Sequence, residues 1–270
     1  MSNRYWNEVR GLSAEIDPGE QFIESSKLGL HDEFPSQEAV IERMQELLQS
    51  LPYDGYPATK LPPPATIGAA LSSVIDMRVS ARHMQPQQIE LTQLAALLHA
   101  ADGITRTNEG TGFVAPFRTV PSGGGLFPLE VYFFTKRVTG LTPGLYHYNP
   151  TLSEVRLVRE GDLTPLVAEA LVPFQANVAY DSSAIFFLTA IFERSTFKYG
   201  QRGYRFVLLE AGHMAQNLNL AATGLDLGVL SVGGYYDRVA DRLLGIDGVT
   251  HTTVYMVAVS RRLAGPPGEA

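Results

Sequence analysis

Two adjacent side chains that can accept protons, Lys198 and Tyr199, lie within the stretch STFKYGQRGYRF, residues 195–206. A free lysine amine or a tyrosine phenolate acts as a general base when its surroundings favour that form. Gly200 follows the pair and predicts a break in the chain before a long amphipathic segment. Two interpretations stay open here: a catalytic pair at the mouth of a site, or two surface residues that lead into a helix.

A second candidate group is the alternating series Arg78, Ser80 and Arg82 in RVSARHM. Alternate residues of an extended chain lie on one side of it, so two guanidiniums and a hydroxyl could bind one phosphate together. The alternative is a solvated strand edge on which Arg78 pairs with the nearby Asp76. The series alone therefore does not decide between a phosphate site and an ordinary edge.

Two glycine-rich segments could bring the backbone close to a flat ligand. The first, in RTVPSGGGLFP, begins a turn at Pro121 and Ser122 and continues into Gly123 and Gly124. Its N–H groups could bind ring carbonyls or a phosphate. In the second, SVGGYYDR, Gly233 and Gly234 end a predicted strand. The alternative for the first segment is a loop without a ligand that enters a strand, and the alternative for the second is a turn without a ligand.

The long helix predicted over residues 204–222 carries a polar series next to its apolar stripe. Glu210, His213 and Asn217 share a helical face, and their periodicity favours a solvent-exposed face. Gln216 and Asn217 lie among apolar neighbours, so one of the two could point inward. Gln216 is the candidate ligand contact.

The composition excludes several kinds of function. The chain has 270 residues and no cysteine, which excludes disulfides, thiolate metal sites and a cysteine nucleophile. Its net charge of −7 argues against a nucleic-acid partner, which would favour a basic surface. The start, MSNRYWNEVRG, does not have the pattern of a signal peptide, and the sequence contains no apolar run of membrane-spanning length. We therefore expect a cytoplasmic protein without a membrane partner.

Common nucleotide and metal motifs do not fit this sequence. GTGFVA, residues 110–115, matches the loose dinucleotide-binding pattern, but Pro116 interrupts the helix that this pattern needs. The six histidines are scattered, with no spacing that predicts a metal site. A bound metal is therefore not expected.

The apolar pattern predicts an α+β fold with a mainly antiparallel sheet flanked by helices. Strands are predicted at residues 129–135, 144–150, 154–158 and 183–192, and later in LGVLSVGG and TTVYMVAVS. Besides the long helix, IELTQLAALLHAADG and a short segment around residues 237–244 are predicted helices.

The N-terminal region differs in composition from the rest. Residues 1–64 are predicted to form an arm with one helix, which begins after Ser36. The proline-rich segment YDGYPATKLPPPAT follows this helix and is predicted to be a linker or an extended crossing segment. Residues 65–270 then form the main domain.

Taken in order, these segments resemble the nitroreductase fold and, within it, the SagB-type dehydrogenase family. The resemblance extends over about residues 65–262 and rests on RVSAR, PSGGGLFPLEVYFF, GLYHYNP, FKYGQRGYRFVLLEAGHMAQNLNLAA and LGVLSVGGYYD. It implies a bound FMN and a homodimer whose active sites lie at the subunit interface.

The resemblance also implies roles for individual residues. Arg78, Ser80 and Arg82 match the arm that holds the FMN phosphate and ribityl chain, and Arg261 or Arg262 would complete the phosphate site. Pro121, Ser122, Gly123 and Gly124 match a loop that reaches the flavin from the partner subunit. Val232, Gly233 and Gly234 match the segment near the reactive edge of the ring, and Gln216 is a further expected cofactor contact.

Lys198 and Tyr199 match the Lys-Tyr pair of the family's azoline oxidases, which form thiazoles and oxazoles in peptide natural products. This oxidation removes a proton from one ring carbon and a hydride from its neighbour. FMN would accept the hydride, and either Lys198 or Tyr199 would take the proton. The expected substrate is a ribosomal or a carrier-bound nonribosomal peptide, with a cyclodehydratase or a synthetase as a partner.

Two other functions are weighed against this one. An NAD(P)H-dependent nitro or quinone reductase would leave the Lys-Tyr pair without a role. A non-catalytic scaffold subunit of a synthetase complex would not need the arginines or the glycine loops.

Overall fold

Antiparallel strands form the centre of the protein, whose computed structural model describes residues 17–112 and 114–263. The strands of this part of the chain are β1 (Ala58–Lys60), β2 (Met84–Gln85), β3 (Ile104–Arg106), β4 (Phe117–Arg118), β5 (Leu129–Thr135), β6 (Gly144–Asn149), β7 (Glu154–Glu160), β8 (Ala184–Ile191), β9 (Gly228–Val232) and β10 (His251–Arg262). Eight of them form one sheet in the order β1-β7-β6-β5-β8-β10-β2, in which β9 also pairs with β10. The remaining two, β3 and β4, pair with each other.

Helices flank this sheet. They are α1 (Pro18–Ser25), α2 (Gln37–Glu46), α3 (Leu71–Met77), α4 (Leu91–Asp102), α5 (Thr164–Ala170), α6 (Asn177–Asp181), α7 (Glu193–Tyr199), α8 (Arg202–Gly224) and α9 (Asp237–Leu244). The predicted α+β class with a mainly antiparallel sheet is therefore confirmed. None of the described helices combines the length and the apolar character that crossing a membrane requires.

The two faces of the sheet have separate apolar cores, because successive residues of a strand point to opposite faces. On one face, Phe133 and Phe186 lie in a cluster with apolar residues of α4 and α8. On the other face, Tyr132 and Phe187 lie in a cluster with residues of α5 and α9. Burial of one such side chain contributes about 1.5–3 kcal/mol to folding. The central strands β5 and β8 are therefore covered on both faces.

The N-terminal arm contains more regular structure than its sequence predicts. The helix predicted to begin after Ser36 is confirmed as α2, and Ser36 Oγ accepts a hydrogen bond of 3.2 Å from the Ala39 N–H. A second helix, α1, was not predicted, because it has no buried residue and hence no apolar stripe in the sequence. Asp17 caps it by accepting the Gly19 N–H at 2.7 Å.

The proline-rich segment YDGYPATKLPPPAT, predicted as a linker or an extended crossing segment, contains an extended strand. Within it, β1 pairs antiparallel with β7 and lies at the edge of the main sheet. An edge position tolerates neighbouring prolines, because one side of the strand needs no hydrogen-bond partner. The domain boundary near residue 65 stays a prediction, although this strand already belongs to the sheet.

Candidate functional site

The glycine loop and the Lys-Tyr pair, which are far apart in sequence, lie against each other. Gly124 has φ +70, and a Cβ atom added there would lie 2.5 Å from Tyr199 Oη and 2.9 Å from Lys198 Nζ. The Lys198 ammonium lies 5.1 Å from the centre of the Tyr199 ring. Tyr199 in turn packs edge-on against Phe206, with the ring centres 4.9 Å apart. The ends of both side chains thus lie beside one backbone position, and a side chain at that position would displace them.

The pair lies in the last turn of a short helix, which was not predicted from the sequence. Helix α7 ends at Tyr199, and Gly200 (φ 52, ψ −137) turns the chain into α8. The conformation of Gly200 is accessible mainly to glycine, so the predicted break is confirmed. Both side chains are half-buried. Both interpretations of the pair, as catalytic residues or as surface residues that lead into a helix, therefore stay predictions.

A buried ion pair anchors this helix to the sheet. Arg194, in the first turn of α7, lies 2.6 Å from Glu130 Oε1 on β5, and both side chains are buried. The other oxygen of Glu130 lies 2.6 Å from His147 Nε2 on β6. Burial alone would raise the pKa of Glu130, but Arg194 and then His147 outweigh it and lower that pKa to about 2. Glu130 therefore stays charged and holds α7 in place.

The N-terminal arm forms a wall beside the pair. Val40 and Met44 of α2 pack with Leu126, and Phe197 and Tyr199 pack against the same cluster. Farther along the arm, Arg205 Nε donates a hydrogen bond of 2.6 Å to Ser26 Oγ. A cavity of about 410 Å³ lies between the arm and residues 196–202, and Lys198 and Tyr199 line it. The pair is thus accessible through a pocket that the arm helps to build.

Glu210 lies under the glycine loop, not on the solvent face that was predicted for it. It is 2% exposed, and neither carboxyl oxygen has a well-aligned hydrogen bond within the described residues. Burial raises the pKa of Glu210 to about 8, and the nearby Ser122 hydroxyl only partly opposes that rise. The sequence did hold the signal, because Glu210 is three residues after Val207 and four before Met214, on the apolar stripe.

The residue of α8 that points inward is also not the one predicted. Gln216 is exposed and Asn217 is half-buried. Asn219 is buried instead, and its Nδ2 donates to Ser231 Oγ at 2.9 Å and to the Ala215 carbonyl at 2.7 Å. The role of Gln216 as a cofactor contact stays a prediction.

The candidate phosphate residues converge at one end of the sheet. Ser80 lies beside Val229 of β9, and the Ala81 N–H donates to the Val229 carbonyl at 2.9 Å. In the pairing of β2 with β10, Arg261 is opposite Gln85 and Arg262 is opposite Met84. Two segments that are nearly 180 residues apart therefore bring their arginines to the same edge.

These arginines have no competing partner among the described residues. No ion pair is found there for any of the four, Arg78, Arg82, Arg261 and Arg262, so the pairing of Arg78 with Asp76 is not formed. Arg262 lines a cavity of about 330 Å³ together with Asp76 and Asp226, whose charges oppose an anion. The unpaired guanidiniums support phosphate binding at this edge, because each can donate two parallel hydrogen bonds to a phosphate.

The second glycine segment lies at the other end of β9. Val232 is buried and pairs with Met256 of β10. A Cβ atom at Gly234 would lie 2.8 Å from Gln175 Oε1, so packing within the chain already requires glycine there. Gly233 is exposed, and a Cβ atom there would meet nothing within 4 Å. Strand β9 thus links the arginine edge, at Gly228, to the candidate ring-contacting segment.

Comparison with known proteins identifies relatives over most of the chain. The sequence model of the nitroreductase family matches residues 75–261, well over half of the chain. A nitroreductase-family protein of Methanocaldococcus jannaschii is 37% identical over 65% of this chain and 84% of its own length. The microcin B17-processing protein McbC of Escherichia coli is 30% identical over 48% of this chain and 49% of its own length.

Solved structures share the fold at lower sequence identity. A nitroreductase-like protein of Anabaena variabilis superposes with a TM-score of 0.66 at 23% identity, over 87% of this chain and 49% of that one. The E. coli microcin synthetase complex McbBCD with truncated pro-MccB17 contains a chain with a TM-score of 0.57 at 19% identity, over 96% of this chain and 86% of that one. A Desulfovibrio desulfuricans relative in complex with FMN has a TM-score of 0.51 at 16% identity, over 75% and 92%. The chain spans about half the length of McbC and of the Anabaena protein.

Proposed function

This chain belongs to the nitroreductase family of oxidoreductases, and we propose that it is an FMN-dependent dehydrogenase that oxidises azoline rings in a peptide to azoles. The observation that carries this proposal is the position of Lys198 and Tyr199 against Gly124. A reductase that only passes electrons to a nitro group or a quinone has no use for two adjacent bases at the mouth of a pocket.

The residues present fit FMN. Unpaired guanidiniums at the β2–β10 edge suit a phosphate dianion, and the exposed Gly233, where a Cβ atom would meet nothing within 4 Å, leaves room for a flat ring. When bound, FMN supplies the acceptor for two electrons. We propose that Arg78, Ser80, Arg82 and one of Arg261 and Arg262 hold its phosphate end. The glycine segments and Gln216 would lie nearer its ring.

The Lys-Tyr pair would supply the proton transfer. Oxidation of an azoline breaks two C–H bonds, so one hydrogen leaves as a proton and the other as a hydride. Lys198 Nζ and Tyr199 Oη lie beside the same backbone position, and either atom can take the proton from a ring in the adjoining cavity. Lys198 acts as the base only as the free amine, and Tyr199 only as the phenolate. Lys198 Nζ lies 5.1 Å from the centre of the Tyr199 ring, so a charged Lys198 would favour the phenolate.

Relatives support a peptide substrate and larger assemblies. McbC is named for the processing of microcin B17, and the McbBCD structure is a synthetase complex with truncated pro-MccB17 bound. By analogy, we propose that this chain acts on a peptide and works beside a synthetase or a cyclodehydratase. We also propose a homodimer, in which the glycine loop of one subunit reaches the cofactor of the other.

The first test is the visible absorbance of the purified protein and the identity of any chromophore released on denaturation. Incubation with a peptide that contains one thiazoline, followed by mass spectrometry, then measures the loss of two hydrogens. We expect the variants Lys198→Ala and Tyr199→Phe to slow this oxidation by about 100-fold, the contribution typical of a general base. Bound FMN should be unchanged in both variants.

Other outcomes separate the competing functions. A colourless protein that FMN cannot reconstitute would overturn the oxidoreductase proposal and leave the scaffold. NAD(P)H-driven reduction of a nitro compound without any thiazoline oxidation would identify a reductase. Thiazoline oxidation that persists in the double variant would show that the pair is not the base.

A further inference from the structure

The pocket that leads to Lys198 and Tyr199 has an unusual distribution of charge. We call it the arm pocket: one wall is formed by residues 25–35 of the N-terminal arm and the other by residues 196–202, and its volume is about 410 Å³. The arm wall carries Asp32 and Glu33, and the opposite wall carries Lys198 and Arg202. Charges of both signs therefore line one small space.

These charges do not neutralise each other by direct contact. Within the described residues, Arg202 forms no ion pair, and its Nε atom is buried without a hydrogen-bond partner. The remaining cation of the pocket, Lys27, is bound by Glu24 outside the lining. A buried polar group without a partner is unfavourable, and a ligand that accepts a hydrogen bond from the Arg202 guanidinium reduces that cost.

The balance of charge restricts which ligand fits. A phosphate-bearing nucleotide would meet the carboxylates of Asp32 and Glu33, and a polycation would meet Lys198 and Arg202. A neutral group with both carbonyl acceptors and N–H donors can form hydrogen bonds with the cations of one wall and the carboxylates of the other. A peptide backbone is such a group.

Apolar side chains lie between the charges. Leu28 and Phe34 line the arm pocket and are 50% and 58% exposed. Phe197 lines the opposite wall. An extended peptide presents apolar and polar groups in alternation, so its side chains could cover these residues while its backbone meets the charges.

The arm pocket is held in shape by contacts within the chain. Arg205 of α8 donates to Ser26 Oγ at 2.6 Å and also to the Ile23 carbonyl, and Ser26 is buried. Arg43 of α2 pairs with Glu193 at the start of α7. The arm is thus attached to α8 through Arg205 and to α7 through Glu193. Because these contacts already fix the arm, binding of a ligand requires little further ordering of the chain.

From these features we infer that the arm pocket is a peptide subsite, in which Arg202 binds a backbone carbonyl next to the azoline ring and Asp32 and Glu33 bind backbone N–H groups. This inference rests on the proposed function, since it places the flanking peptide beside the proposed bases. Arg202 is then a specificity-determining residue that separates peptide-borne rings from free ones.

The test measures binding and not turnover. The probe is an end-capped peptide of uncharged residues with one central thiazole and a fluorophore of zero net charge, and fluorescence anisotropy gives its affinity for the flavin-loaded protein. The comparison ligand is the isolated thiazole as a carboxamide, measured by competition. We expect Arg202→Gln to weaken peptide affinity by about tenfold and to leave the affinity for the isolated ring unchanged.

Two further variants keep the result interpretable. Arg159→Gln removes one exposed positive charge on β7 and should bind the peptide like the wild type. Glu33→Gln changes the opposite wall and should also weaken peptide binding, so the inference can be tested even if Arg202→Gln unfolds. Thermal unfolding of each variant shows which of them remain folded.

Several outcomes would overturn the inference. These are a wild type that does not bind the peptide, peptide affinity that is unchanged in both folded pocket variants, or NADPH that competes with the peptide for the arm pocket. The proposed function is tested separately, by the oxidation of a thiazoline peptide. If the peptide binds through Arg202 but a thiazoline peptide is not oxidised, the proposed reaction is wrong and the peptide subsite stands.

Discussion

At the scale of single residues, the missing side chain of Gly124 leaves the space that Tyr199 and Lys198 occupy. Gly124→Ala would place a methyl group 2.5 Å from Tyr199 Oη, at a backbone φ of +70 that costs a non-glycine residue about 1–2 kcal/mol. We expect the pair to be displaced and azoline oxidation to fall by about tenfold or more. Steady-state oxidation rates and urea unfolding of the variant measure both effects.

Gly140→Ala is the matched control for this substitution. Gly140 also has a positive φ, +86, but a Cβ atom there would meet nothing within 4 Å. Both variants should lose similar stability, whereas only Gly124→Ala should lose activity. Equal activity in the two variants would mean that the contact of Gly124 with the pair has no part in catalysis.

Glu210 makes a second prediction at this scale, about the pH dependence of stability. Its pKa is raised from 4.5 to about 8 by burial, so the folded protein binds a proton that the unfolded chain releases above pH 4.5. The stability linked to this proton is fully present below pH 4.5 and is lost as the pH rises through about 8. We expect Glu210→Gln to reduce the fall in stability over this range.

Urea unfolding of both proteins at several pH values checks this. Asp102, whose pKa burial raises to about 6, titrates with the same sign in both proteins. Its charge also raises the pKa of Glu210, so the difference between the proteins reports Glu210 together with this coupling. Parallel pH profiles for the wild type and Glu210→Gln would contradict the prediction.

At the scale of elements, helix α7 depends on two neighbouring ion pairs of very different burial. Arg194 and Glu130 are 4% and 2% exposed, whereas Arg43 and Glu193 are 39% and 59% exposed. Removal of one partner of a buried pair leaves an uncompensated charge, but an exposed pair is screened by water. The buried pair should therefore determine the position of Lys198 and Tyr199.

Arg194→Met should cost about 3–5 kcal/mol of unfolding free energy. Arg43→Met, the matched exposed control, should cost much less, because water screens that pair. Urea unfolding measures both values. If the two variants were equally stable, the anchor of α7 would lie elsewhere, for example in its packing with α8.

The sequence predicted these elements unequally, for physical reasons. Strands β5 and β8 were predictable because runs such as LEVYFFT and SAIFFLTAIF have the composition of buried strands. Helix α7 was missed because it is only seven residues long and its anchor, Glu130, is 64 residues away in sequence. A similarly long sequence separation explains why part of the site was not predicted. The residue types made Lys198 and Gly124 candidates, but they did not predict that the two residues are in contact.

At the scale of the whole molecule, exposed apolar side chains predict a second subunit. Leu208 and Leu209 of α8 are exposed in the single chain, as are Leu71 and Ile75 of the neighbouring α3. Such residues in contact with water are unfavourable unless a partner covers them. They agree with the proposed homodimer.

Leu209→Glu should shift the protein from dimer to monomer in analytical ultracentrifugation, because a carboxylate in an apolar interface opposes association. Val249→Glu is the control, since Val249 is 77% exposed in a turn outside these helices. A wild type that sediments as a monomer at all concentrations would contradict the proposed homodimer.

The contact of Arg205 with the arm has a consequence for biosynthesis. A ribosome makes Ser26 long before Arg205, which follows 179 residues later. Ser26, which is buried in the folded protein, therefore lacks this contact while the strands of the sheet are translated. Long sequence separation of this kind slows folding and exposes apolar segments to other chains. The docking of the arm is thus a late step, and a chaperone that holds nascent chains would act mainly before Arg205 emerges.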